Sequence, residues 1–83
     1  MLLKFFQMSI WYRVTVGRDV VDFTNPEDAI FHARTWMTHS PTVPGGSTGT
    51  IERMARGQWP VAWEKKFPYR TYVKGPSGVV RRA

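Results

Sequence analysis

Between residues 59 and 74 the chain interleaves two residue types that together suit nucleic acid. Trp59, Trp63, Phe67, Tyr69 and Tyr72 are mixed with Lys65, Lys66, Arg70 and Lys74. Aromatic side chains on a sheet stack on unpaired bases, while Lys and Arg neutralise phosphates. Arg53 and Arg56 precede the segment, and Arg81 and Arg82 follow it. The candidate contact set for nucleic acid or another acidic partner is therefore Arg53, Arg56, Trp59, Lys65, Lys66, Arg70, Tyr72, Lys74, Arg81 and Arg82. The plain alternative assigns Trp63, Tyr69 and Val73 to a core and leaves the cations on the solvated side of an amphipathic strand.

Charge is distributed unevenly along the chain. Residues 1–50 hold four Lys/Arg against four Asp/Glu, whereas residues 51–83 hold eight against two, so the whole surplus of +6 lies in the last third. Such asymmetry points to a polyanion or an acidic protein surface as partner, with solubility alone as the competing explanation.

The other residue sets that could do chemistry fail on spacing. His32 and His39 are seven apart, which on a helix places them on one face about 10 Å apart, too far to share one metal ion. With no cysteine there is no thiolate site and no disulfide. Surface histidines are expected, and no metal or cofactor. Gly45-Gly46-Ser47-Thr48-Gly49-Thr50 lacks the Lys-Ser/Thr ending of a phosphate cradle and opens a strand, not a helix. It reads as a connector. Asp22 is expected to pair with Arg13, and Glu27 and Asp28 suit the positive start of a helix. No serine lies in a nucleophile-elbow pattern. A non-catalytic binding protein is the expectation. A second contact candidate is Phe31 with Arg34, on the helix side away from Ile30 and Ala33. Phe31 is either a protein-interface anchor or covered by Met1 to Phe6.

The elements that must position these residues follow from local patterns. Ile10 to Val16 is β-branched and aromatic, and Gly17-Arg18 suits a two-residue type II′ turn into Asp19–Phe23. That turn pairs Val16 with Asp19, Val14 with Val21, Arg13 with Asp22 and Tyr12 with Phe23. A helix then starts at Thr24-Asn25-Pro26-Glu27. The cap is Thr24 with Glu27 reaching back, or Asn25 with Pro26 at the first helical position. Pro26, Ala29, Ile30, Ala33, Trp36 and Met37 fall on one side, and Pro41 ends the helix near Ser40. Residues 40–50 read as an exposed crossover. Ile51–Arg56, Gly57-Gln58 and Trp59–Lys66 repeat the hairpin grammar, pairing Met54 with Val61, Glu52 with Trp63 and Arg56 with Trp59. A bulge or longer turn is the open alternative, and Pro60 favours an edge or irregular pairing. A last strand runs from Tyr69 to Lys74. It sets Tyr69, Thr71 and Val73 on one side and Arg70, Tyr72 and Lys74 on the other, before Gly75-Pro76 stops it.

These elements predict an α+β fold: an antiparallel four- to five-stranded sheet, order β-β-α-β-β-β, with one α-helix packed on one face. At 83 residues the chain is one domain, with a folded core over 8–74, a candidate N-terminal extension over 1–7 and a basic C-terminal tail over 75–83. Met8 is as good a start as Met1. Lys4 and Gln7 break the opening apolar stretch, so neither a signal peptide nor a membrane span is expected. The layout resembles the general plan of many small phage-encoded proteins, some CRISPR inhibitors among them. The second hairpin and last strand resemble the three-stranded DNA-binding sheets of integrase arm domains. The expected function is engagement of nucleic acid or a nucleoprotein complex in the cytoplasm, by a protein of phage or mobile-element type. The alternatives are an inhibitor or adaptor docking on a host protein, and a virion or assembly subunit; oligomeric state stays open.

Overall fold

Gly17 sets the geometry of the first hairpin. Its φ is +60°, and no non-glycine residue among those described has a positive φ, so only the first central position of the turn is left-handed, as a type II′ turn requires. Residues 8–83 are described by this computed structural model. The expectations for residues 1–7 lie outside them. Strand β1 (Met8–Val16) pairs with β2 (Asp19–Phe23) in the register expected from the turn, with Val16 opposite Asp19 and Tyr12 opposite Phe23.

Helix α1 (Pro26–His39) uses the second of the two available caps. The Asp28 backbone N–H donates to Asn25 Oδ1 at 2.8 Å, and Asn25 Nδ2 donates to Asp28 Oδ2 at 2.9 Å. Pro26 sits at the first position, where a missing N–H costs nothing. The helix closes at Ser40, whose N–H donates to the Trp36 carbonyl at 2.9 Å. Ala29, Ala33 and Met37 are fully buried. Trp36 departs from the expected buried face: it lies at the rim and stacks on His32 at 6.0 Å, with His32 in turn 5.2 Å from Phe23. The row of small alanines brings the helix axis too close to the sheet for an indole to fit beneath. His32 is therefore half-buried between two rings, while His39 is exposed.

The chain crosses the sheet along α1, so β3 (Thr48–Gly57) lies beside β1. A twelve-residue β4 (Trp63–Lys74) and a short β5 (Val80–Arg82) complete an antiparallel sheet of order β2-β1-β3-β4-β5. Gly49 makes the helix seat possible: a Cβ there would lie 2.5 Å from Met37 Sδ. The core is Val14, Val16, Ala29, Ala33, Met37, Val43, Ile51 and Tyr72, flanked by Tyr12, Phe23, Ile30, Tyr69 and Val80. None of these belongs to Met8–Trp11, Arg53–Gly57 or Trp63–Pro68. The helix thus covers one half of the sheet, and three strands run on beyond it.

Three parts of the second half differ from expectation. Gly57 and Gln58 do not form a two-residue turn; residues 58–62 connect the strands, and Gly57 pairs with Trp63, Arg56 with Glu64 and Met54 with Lys66. Pro60, which has no N–H to give a ladder, is thereby placed in the connection. Only 63–66 of the expected strand over 59–66 is extended, and it joins 69–74 in β4, with an irregularity between Ile51 and Glu52 that leaves Tyr69 as an extra residue. Past this bulge it is Arg70, Tyr72 and Lys74 that turn toward the core side. Residues 75–83, read as a tail, bend through Gly75–Gly78 and return as β5, pairing Tyr72 with Arg82 and Lys74 with Val80.

The crossover is exposed over most of its length, as expected, and is also pinned to the sheet at several points. Val43 and Ser40 are buried. Gly46 N–H donates to the Lys74 carbonyl at 2.7 Å, and Lys74 N–H donates to the Ser47 carbonyl at 2.9 Å. The Lys74 side chain, only 9% exposed, donates from Nζ to the Val43 carbonyl at 2.8 Å. Replacing it strands a buried carbonyl, which costs about 1–3 kcal/mol. Lys74→Met should lower the urea-unfolding free energy by roughly that amount, whereas Lys65→Met should stay within about 0.5 kcal/mol of the parent. Equal effects would deny Lys74 its clamping role.

Candidate nucleic-acid interface

Alternation along the strands sorts the candidate residues onto two faces. Because Ile51 faces the helix, Arg53, Ala55 and Gly57 face the same way. Their partners on β4 are Phe67, Lys65 and Trp63, and on β1 they are Tyr12, Ile10 and Met8. The opposite, outer face carries Ser9, Trp11 and Arg13 on β1, Glu52, Met54 and Arg56 on β3, and Glu64 and Lys66 on β4.

On the outer face two arginines are neutralised by carboxylates. Arg13 Nε and Nη2 donate to the two carboxylate oxygens of Asp22 at 2.9 and 3.1 Å. Arg56 Nε and Nη2 donate to Glu64 Oε2 at 3.2 and 2.9 Å, and its guanidinium lies 5.1 Å from the Trp11 ring centroid. Glu52 stands between these pairs, opposite Arg13. Two of the cations on this face, Arg13 and Arg56, are thus each paired with a carboxylate, while Lys66 stands opposite Met54.

The helix side of the uncovered half contrasts with this. Its strand residues include Arg53 and Lys65 and no carboxylate. Lys65 Nζ lies 5.8 Å from the Trp63 ring centroid. Phe67, 48% exposed, stands opposite Arg53. At the border with the core, Arg70 lies over the Tyr69 ring at 5.5 Å, and its hydrogen bond to Tyr72 raises its pKa above the ordinary arginine value against a smaller effect of burial. Arg82 is opposite Tyr72, diagonal to Arg70 across the β4–β5 pair.

The proposed contact set is therefore divided. Arg53, Lys65, Arg70 and Arg82 share the helix side. Lys66 and the ion-paired Arg56 lie on the outer face, as does Arg81, opposite Val73. Trp59 is 57% exposed within the connection. Tyr72 and Lys74 leave the set, because a buried core residue and a buried clamp cannot touch a partner. Phe67 and Trp63 enter it. The signal for them was the parity of β4 relative to Gly57, which a two-residue turn would have inverted. Elsewhere, Phe31 is 72% exposed beside a shallow depression formed with Arg34, Thr35, Thr38 and His39. The alternative that Met1 to Phe6 covers it lies outside the described residues. Among the described residues no group of three His, Asp or Glu could hold a metal ion, and no helix is long and apolar enough to cross a membrane.

The Arg13 hydrogen bond, partly opposed by burial, holds the Asp22 carboxyl below its ordinary pKa. A carboxylate whose folded pKa is depressed adds stability above its unfolded pKa of about 3.9 and loses it as pH falls through the folded value. Asp22→Asn should therefore lower Tm most near neutral pH, with the gap closing as the parent is acidified below that range. A gap independent of pH would show that the pair's charge is not the cause.

Against this geometry, comparison of the chain with protein-family models, curated proteins and solved structures finds no match.

Proposed function

We propose that this chain is a small, basic, non-catalytic binding protein that engages nucleic acid or a nucleoprotein complex. The contact is made by the helix side of its sheet, with Arg53 and Lys65 on the uncovered half and Arg70 and Arg82 beside the core all meeting phosphates. One observation carries the reading: on the outer face Arg13 and Arg56 each have a carboxylate partner, whereas the strand residues of the uncovered helix side include Arg53 and Lys65 and no carboxylate. Like charges gathered on one surface repel one another and are relieved by a polyanion. The lack of cysteine and the phage-like layout favour a cytoplasmic protein of phage or mobile-element type.

A second reading has its own observation. Phe31, a large exposed apolar side chain on the helix, suits docking on a host protein, as an inhibitor or adaptor would.

Oligonucleotide titration at several salt concentrations separates the two. Four phosphate contacts predict a log–log salt slope of about −2.8 on a single strand or about −3.6 on a duplex. The double variant Arg53→Glu/Lys65→Glu should reduce the slope by about two contacts' worth and weaken binding at least about tenfold. Lys66→Glu, on the outer face, should change affinity less than about threefold. Absence of binding at low salt, or equal loss in Lys66→Glu, would defeat the nucleic-acid reading. Phe31→Ala should leave oligonucleotide binding unchanged.

A further inference from the structure

The uncovered half of the sheet also offers surfaces that charge does not explain. Gly57 is buried although it lies far from the helix. A Cβ there would collide with Cε2, Cζ2 and Nε1 of Trp63, so the indole occupies the space a side chain would need. Trp63 Nε1 donates to the Trp59 carbonyl at 3.3 Å, and Lys65 approaches the ring. The indole is thus held in place while remaining only half-buried. Phe67 projects on the same side four residues along, and strand geometry puts the two rings' anchor points about 13 Å apart with Lys65 midway. Inward of this row are the apolar Ile10 and Ala55.

A duplex cannot use these rings. Its bases are stacked on one another, and it would present only phosphates to a sheet face. Even a sheet docked in the major groove would meet base edges there, not the base faces on which flat rings stack. An unpaired strand has exposed base faces and a backbone that follows a line of cations.

We propose that Trp63 and Phe67 form a stacking platform for the bases of single-stranded nucleic acid, with Lys65 between them and Arg53 opposite Phe67 meeting its phosphates. The proposal rests on the nucleic-acid reading above and narrows it to DNA or RNA without a complementary strand, chemistry that both share at their base faces.

The test uses the full chain and labelled twelve-nucleotide oligomers: oligo-dT, oligo-U and a mixed-sequence DNA duplex of equal length, followed by fluorescence anisotropy at one low salt concentration. The expected result is that the parent binds one or both single strands at least about tenfold more tightly than the duplex. Phe67→Ala should weaken single-strand binding about 5- to 100-fold, the range for losing one stacked base, with duplex binding changed less than about twofold. Phe67→Trp should restore it. Phe67 is exposed, so its loss should leave the circular dichroism spectrum and Tm unaltered; Gly57→Ala, which displaces Trp63, supplies an independent loss of stacking. Duplex binding as tight as single-strand binding, or Phe67→Ala without effect, would overturn the platform and leave the electrostatic reading intact. No binding to any oligomer would overturn both.

Discussion

Met37 sits on Gly49, and the position of the hydrophobic core follows from that contact. A side chain at residue 49 would meet the Met37 sulfur at 2.5 Å and Val16 Cγ2 at 3.1 Å, so the helix could not settle where Ala29 and Ala33 also reach the sheet. With the helix anchored there, burial is concentrated over Val14, Val16, Ile51 and Tyr72. A chain of this size has a thin core, and one helix cannot roof strands of nine to twelve residues. Among the described residues the far half of the sheet has no covering element. Its helix-side surface carries Arg53, Trp63, Lys65 and Phe67.

Charge and aromatic residues are sorted across this uncovered half by strand parity. On the outer face Arg13 and Arg56 are each fixed by a carboxylate, and Met54 is buried between Trp11 and Lys66 as cross-strand partners. On the helix side, Trp63 over Gly57 and Phe67 beside Arg53 present rings and cations together. Closing β4 against β5 extends the positive edge through Arg82, which sequence order alone places in a tail.

The first hairpin was legible because a two-residue turn leaves no slack: once Gly17 and Arg18 are the turn, every pair from Val16–Asp19 to Tyr12–Phe23 follows. The second was not, because Gly57 mimics a turn glycine while serving to seat an indole. Taking it as the turn shifts β4 by an odd number of residues and sends Trp63 and Lys65 to the wrong face. The bulge at Tyr69 inverts the faces again, which is why Tyr72 looked exposed and is core. Lys74 was read as a solvated cation because its acceptor, the Val43 carbonyl, is 31 residues away and belongs to a loop with no periodic signal. Val80–Arg82 is too short to show alternation at all. What survived these errors was the clustering of cations in the last third of the sequence; which of them share a face depended on register.

The claim at the centre of this account is that partner binding happens on the helix side of the uncovered sheet. Amide chemical-shift mapping of the isotope-labelled protein during titration with an oligonucleotide addresses it directly. The account predicts that the largest shifts fall on Arg53, Trp63, Lys65, Phe67 and Arg70, with small ones at Trp11, Glu64 and Lys66. Shifts centred on the outer face, or on the helix around Phe31, would contradict it.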